Sequence, residues 1–325
     1  MPQSGAVPSV EVVDSSPDDF FAGQTDAGAY VARTIAGEVI LTPKLAGEFA
    51  GDSLPEGWTV TPWVEGGTGT FRDGMLSLDG ASLRCEPLFL SPRALEFSAV
   101  FAARPDQHAG LGVNFVDVPW VKFSTKWGRR LYGRTHLLTI EDKQFSADLF
   151  DAPHRFRIDW NILDIIFSVD ATRLAHLMVP MPGYMRALAA NERLGKQPLR
   201  IEWMRLSPYA PQGRFTSRVL DAGTVAEWHD AVWEADVPEP TSLSLEVRTG
   251  DSLRPGRSWS PWRPLAQPGA PMSARSRYLQ YRALLATADP SWTPALREVR
   301  VRYSAAGAGG VSSSSLVSGR ALGCQ

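Results

Sequence analysis

Apolar and polar residues alternate along most of the chain with the period of two that is typical of β-strands. In the stretch HRFRIDW (154–160), His, Phe, Ile and Trp share one face, whereas two Arg and one Asp share the other. A polar break at 161–164 precedes a second alternating stretch, IIFSV (165–169). This pattern predicts an antiparallel hairpin that has one face in the core and one face in water.

Similar short segments, separated by Gly, Pro and Asp, follow one another from residue 74 to residue 140, which is the rhythm of a β-sandwich. Only the segment 183–197 has a pattern compatible with a helical turn. A second alternating block begins near residue 213, after the break SPYAPQGR (207–214). The sequence therefore predicts four regions, which are an N-terminal segment and strand (1–40), a first sandwich (41–209), a second sandwich (210–304) and a flexible Gly/Ser-rich tail (305–325).

Composition and charge narrow the class of protein. The chain has 325 residues, of which 44% are hydrophobic and 10% aromatic, enough for one large or two medium β domains. Its 33 basic and 35 acidic side chains give a net charge of −2, which argues against a nucleic-acid partner. No long uncharged apolar run predicts a membrane span. The first 19 residues have neither the basic start nor the apolar segment of a signal peptide.

Cysteine and histidine usage favours neither a metal site nor a structural disulfide. Cys85 and Cys324 are the only cysteines, and Cys324 lies in the Gly/Ser-rich tail, so a disulfide between them is not favoured. None of the five histidines forms a His-x-x-x-His pair. We therefore expect no metal site and no cofactor.

The stretch 152–176, followed by LRIEWMRLSPY (199–209), resembles the late strands of the concanavalin A-like lectin/glucanase fold. In that fold a His-containing strand that ends in Trp leads to a strand carrying Val-Asp-Gly, and Ala171 stands here in place of the turn glycine. The resemblance extends over about 41–209. The later block, with LEVRTGD (245–251), WSPW (259–262) and RYLQYRALL (277–285), looks like the β-sandwich that often follows such modules in large bacterial extracellular proteins.

The resemblance implies an all-β protein, in which a concanavalin A-like jelly roll precedes a smaller β-sandwich. It also implies an extracellular or cell-surface location, although the missing signal peptide leaves a cytoplasmic location open. Calcium is common in this fold, but no Asp-rich loop specifies it. Lectins, binding modules, glycosidases and lyases all use the fold, so it does not decide the function.

Glycosidases of the laminarinase type carry Glu-x-Asp-x-(x)-Glu along one strand, because alternation places the carboxylates on one face of the cleft. The strand expected to carry them, GVNFVDVPWVKFST (112–125), contains Asp117 and no glutamate. A literal match at 234–239 includes Pro238, which is unfavourable inside a strand. Retaining hydrolysis is therefore disfavoured.

Alternation instead predicts an aromatic and basic patch. If Leu111, Val113 and Phe115 point to the core, their neighbours point outward, and the expected ligand-binding residues are Asn114, Trp120, Lys122, Tyr132 and Arg134. An aromatic platform with flanking amide and charged donors suits a sugar, and the Lys and Arg favour an anionic glycan. The alternative is that the two aromatic residues fill the edge of the sandwich and the two cations are solvated.

This patch is compatible with two functions. A third hypothesis is a purely structural spacer that binds no ligand. The first is a non-catalytic carbohydrate-binding, lectin-like or adhesion module, whose partner is a polysaccharide or oligosaccharide held in the concave groove. The alternative is an enzyme that uses the same groove, either a polysaccharide-processing enzyme (a lyase or a glycoside hydrolase) or another ligand-transforming enzyme. In the lyase, Tyr132 or His136 would act as base and Arg134 would neutralise a substrate carboxylate. The missing carboxylates favour binding.

Overall fold

The computed structural model describes residues 9–126, 130–145 and 148–305, and these residues are nearly all in β-strands. The N-terminal segment forms four strands and a short helix, namely β1 (Val10–Asp14), α1 (Pro17–Phe21), β2 (Gln24–Thr25), β3 (Ala29–Ala32) and β4 (Glu38–Leu41). Ser16 caps the helix, because its hydroxyl accepts a hydrogen bond from the Asp19 backbone N–H. Of the predicted tail, residues 306–325 lie outside the described residues, and so does Cys324.

Residues 43–209 form an antiparallel jelly-roll sandwich of two sheets, which we call the first unit. Its strands are β5 (Pro43–Glu48), β6 (Trp58–Pro62), β7 (Thr68–Arg72), β8 (Met75–Asp79), β9 (Ala81–Cys85), β10 (Arg93–Val100), β11 (Gln107–Gly112), β12 (Trp120–Thr125), β13 (Leu131–His136), β14 (Ile140–Gln144), β15 (His154–Trp160), β16 (Ile165–Val169), β17 (Thr172–Leu177), β18 (Arg186–Asn191) and β19 (Leu199–Tyr209).

The eight-stranded sheet has the order β17-β16-β15-β10-β19-β8-β7, with β5 beside β19, and the seven-stranded sheet has the order β14-β13-β12-β11-β18-β9-β6. Their facing side chains form one core. Phe123 of the seven-stranded sheet contacts Phe97 and Phe156 of the other sheet, with ring centroids 5.9 and 4.9 Å apart. We call the opposite face of the seven-stranded sheet its distal face.

The remaining strands, β20 (Gln212–Thr216), β21 (Leu220–Asp236), β22 (Thr241–Gly250), β23 (Arg263–Pro264), β24 (Pro271–Thr287) and β25 (Ala295–Ala305), join β1 to β4 in one ten-stranded sheet. We call this sheet, with α1, the second unit. A Cβ on Gly28, next to β3, would lie 1.9 Å from the Gln212 carbonyl oxygen of β20, so two distant strands of the sheet meet. The sheet thereby curls around its own core, which includes Phe20, Trp228 and Tyr281.

The structure differs from the predicted helical turn at 183–197. Residues Arg186–Asn191 form β18, because Ala187 and Ala189 pack into the core with period two. Small residues suit both a helix and a tightly packed strand, so their composition could not separate the two structures.

The hairpin of β15 and β16 forms where the alternation predicts it, but its polar face is not in water. Arg155 and Arg157 of β15 lie beneath the second unit, and the Arg157 guanidinium stacks on the Trp292 ring, 3.6 Å from its centroid. Arg155 Nη1 also donates a hydrogen bond to Asp236 of β21 over 3.1 Å. The two units therefore pack on each other through charged groups.

We call this contact the junction network. Glu96 of β10 is buried and accepts hydrogen bonds from Arg155, at 3.1 and 3.2 Å, and from the Tyr209 hydroxyl, at 3.2 Å. Arg157 Nη1 lies 3.4 Å from the same carboxylate. Burial alone would raise the pKa of Glu96, but the two arginines outweigh it and hold the pKa at about 2.

The turn that joins β16 to β17 is strained at the position where glycine was missing. Asp170 and Ala171 have φ values of 47° and 63°, the left-handed pair required by a two-residue turn. Alanine is disfavoured there, so we expect Ala171→Gly to raise the free energy of unfolding by about 1 kcal/mol. Urea denaturation measures this, and a loss of stability would show that the turn is not strained.

Candidate functional site

The distal face of the seven-stranded sheet brings together most of the residues that the sequence singled out. On β12, Val121 and Phe123 point into the core, whereas Trp120, Lys122 and Ser124 lie on the distal face. Lys122 pairs with Gly110 of β11 and Arg134 of β13. A Cβ at Gly110 would lie 2.6 Å from the Lys122 Cα, so only glycine allows the two strands to approach so closely here.

Trp120 is not an open platform. Only 4% of this residue is exposed, because Phe115, Leu188 and Ala190 form a second small apolar cluster with it and Trp63 packs against that cluster. Phe115 reaches this cluster from the loop 113–119, so it lies on the distal face rather than in the main core. Val113, also expected in the core, is 37% exposed. The alternation stops at Gly112, where β11 ends.

Lys122 is buried among aromatic rings and is also only 4% exposed. Its Nζ lies 4.5 Å from the Trp120 ring centroid and 4.6 Å from that of Phe115. Within the part of the chain that the structure describes, the ammonium has no hydrogen-bond acceptor. Burial, the largest cause, lowers the pKa of Lys122 to about 8.

His108, which the sequence analysis did not select, lies on β11 next to this cation. Its Nε2 is 3.1 Å from Glu192 Oε1, and its ring meets the Phe115 ring edge-on at 5.9 Å. The other ring nitrogen, Nδ1, is buried and has no hydrogen-bond partner. Burial lowers the pKa of His108 against the opposing effect of Glu192, which favours the neutral ring with its proton on Nε2.

The three weak candidates for catalysis share the distal face of β13. The polar groups of two of them are engaged, since the Tyr132 hydroxyl donates to Gln144 over 3.3 Å and Arg134 Nε donates to Asp142 over 2.6 Å. The half-buried His136 ring packs edge-on against Trp120 at 5.1 Å.

Asn114 holds its own loop together. Its side-chain oxygen accepts hydrogen bonds from the backbone N–H groups of Val116 and Asp117, at 2.8 and 2.6 Å, and its amide donates to the Asp117 carboxylate at 2.9 Å. Asp117, the one carboxylate of the expected catalytic strand, is thereby part of this loop. The literal motif match lies elsewhere, since Asp236 contacts Arg155 at the junction of the two units.

A cavity of about 350 Å³ opens on the distal face beside the Trp120 cluster. Half-buried Trp63 and exposed Arg84 line it together with Thr61, Ser82, Leu188 and the loop residues Asn114 to Val116. Sequence reasoning missed Trp63 and Arg84 because they lie more than 25 residues before the loop, and only the sheet order brings β6 and β9 close to it. The alternation of Ser82 and Arg84 against core Leu83 was the available signal.

Three further features of the described residues bear on metal binding, membrane spanning and thiol reactivity. In the ranges 9–126, 130–145 and 148–305, no three His, Cys, Asp or Glu side chains come together in a way that could hold a metal ion. None of the helices among them is long and apolar enough to span a membrane. Cys85 is buried, and burial raises the pKa of its thiol to about 11.

Comparison with known proteins gives distant structural likenesses. No protein-family model and no curated protein matches the chain. An endo-β-1,3-glucanase from Pyrococcus furiosus has 13% identity and a TM-score of 0.41, and the match covers 56% of this chain and 98% of the glucanase. A β-1,3-1,4-glucanase (lichenase) from a mouse hindgut metagenome has 15% identity and a TM-score of 0.38, with 50% and 98% covered.

A laminarinase from a Flavobacterium species is similar at 13% identity and a TM-score of 0.39, over 51% of this chain and 99% of the enzyme. Sequence identities and TM-scores this low assign no chemistry to the distal face.

Proposed function

We propose that this protein is a non-catalytic glycan-binding module and that the cavity beside Trp63 is its binding site. The observation that carries the proposal is the composition of β12. Its three distal-face positions hold Trp120, Lys122 and Ser124, so this strand offers no carboxylate pair for glycoside hydrolysis.

The cavity itself has the groups that a sugar ring needs. Trp63 provides an accessible aromatic face for the apolar C–H side of a sugar, and Arg84, Thr61 and Ser82 provide polar groups around it. A volume of about 350 Å³ falls at the small end of the usual range for ligand sites, which suits one or two sugar residues.

The alternative function is a polysaccharide lyase or another glycan-processing enzyme. The observation in its favour is that Tyr132, Arg134 and His136 share one face of β13, next to a buried lysine. The hydrogen bonds of Tyr132 to Gln144 and of Arg134 to Asp142 weigh against it.

We expect Trp63→Ala to weaken glycan binding by roughly 1–3 kcal/mol, which is about 5- to 150-fold, because it removes the accessible aromatic face. Isothermal titration with the glycan that a glycan array selects measures the change. Trp262→Ala, a half-buried tryptophan of the second unit, is the matched control and should leave affinity unchanged. Equal affinity in wild type and Trp63→Ala would place the site elsewhere.

A further inference from the structure

Two polar atoms on the distal face make no hydrogen bond with the described residues. His108 Nδ1 is buried and has no partner there. Lys122 Nζ belongs to a residue that is only 4% exposed, and it contacts the rings of Trp120 and Phe115 without an acceptor at hydrogen-bond distance. A buried polar group without a partner destabilises a folded protein, so a ligand that bonds both atoms would recover part of that free energy.

The chemistry of the two atoms is complementary. Lys122 Nζ is a donor and carries positive charge, so it requires an acceptor, and an anionic one gives the strongest bond. Because His108 bonds Glu192 through Nε2, its Nδ1 is an acceptor and requires a donor such as a hydroxyl. A ligand that satisfies both atoms offers an anionic oxygen and a neighbouring hydroxyl group.

One side chain separates these atoms from the cavity. The Phe115 ring contacts both Lys122 and His108, and Phe115 also lines the cavity beside Trp63. The described hydrogen bonds of its loop, including that from the Val113 N–H to the Pro119 carbonyl, close within 113–119. Movement of this loop would break no described hydrogen bond to the sheet, and it would cost the packing of Phe115 against Trp120, Leu188 and Ala190.

Resting on the proposed glycan-binding function, we propose that the ligand is an acidic saccharide containing a hexuronic acid. Its carboxylate binds Lys122 Nζ, and an adjacent hydroxyl donates to His108 Nδ1 once the Phe115 ring swings out. Trp120 then forms the apolar floor under the sugar. A neutral sugar would satisfy the hydrogen bonds but would give the Lys122 ammonium no anionic partner at hydrogen-bond distance.

The test uses an array of uronate-containing oligosaccharides and their neutral counterparts, probed with the full chain and with Lys122→Met. The variant keeps the length of the side chain and removes its charge. We expect the wild type to retain uronate glycans and Lys122→Met to bind them at least about 30-fold more weakly, as for the loss of a buried charge pair. Lys196→Met, an exposed lysine outside this face, is the control and should bind normally.

Thermal melting separates this role from a structural one. Because Lys122→Met removes the charge from a largely buried side chain that makes no hydrogen bond with the described residues, its melting temperature should equal or exceed that of the wild type. A lower melting temperature would mean that the ammonium serves packing through its ring contacts and would overturn the proposal.

The array outcomes also differ for the two proposals. Retention of neutral glycans alone, or equal uronate binding by Lys122→Met, overturns the acidic specificity and leaves the binding function standing. Retention of no glycan at all overturns the binding function itself.

Discussion

Glu96→Gln is expected to lower the free energy of unfolding by about 3–5 kcal/mol, which is the usual effect of breaking a buried ion pair. Glu96 is the shared anion of the junction network, and its loss leaves Arg155 and Arg157 buried with fewer negative partners. Urea denaturation followed by tryptophan fluorescence measures the change. Asp221→Asn removes the anion of an exposed pair with Arg277 and should alter stability by less than about 1 kcal/mol.

The ion pairs of Glu96 with Arg155 and Arg157 also make the stability of the fold depend on pH. The pKa of Glu96 is about 2 in the folded protein, below its ordinary value of 4.5. A depressed carboxyl pKa stabilises the fold fully above the unfolded value, and this contribution is lost as the pH falls from about 4.5 towards 2. The difference in stability between wild type and Glu96→Gln should therefore shrink over that range, and a constant difference would contradict the assigned pairing.

Trp120→Ala is expected to destabilise the protein by about 3–5 kcal/mol, because truncating a buried tryptophan leaves a cavity among Phe115, Leu188 and Ala190. Trp63→Ala, on the same face but half-exposed, is the matched comparison and should cost about 1 kcal/mol or less. If the two variants had equal stability, Trp120 would be an open platform after all.

Period-two alternation was sufficient to predict the all-β class and the facing of individual strands. Trp120 and Lys122 share a face as predicted, because neighbouring strand residues point to opposite sides. Alternation does not reveal what covers a face. The polar side of β15 was expected in water, yet Arg155 and Arg157 lie beneath the second unit, since charged groups are buried when suitable partners meet them.

The candidate site shows the same limit. Phe115 follows the end of β11, so the extrapolated alternation assigned it to the wrong core. Trp63 and Arg84 reach the loop 113–119 only through the order of strands in the sheet, which short-range patterns do not encode. No sequence pattern singles out His108, and its lack of a partner at Nδ1 is visible only in three dimensions.

The central claim is that the distal face holds a glycan without transforming it. The most direct test incubates the protein with the polysaccharide that it retains and measures new reducing ends, together with the ultraviolet absorbance of unsaturated sugar ends, alongside the amount bound. We expect saturable binding that Trp63→Ala weakens, with neither product rising above the level of a protein-free control. Product that accumulates in proportion to protein, and that disappears in Tyr132→Phe or His136→Ala, would contradict the claim and identify an enzyme.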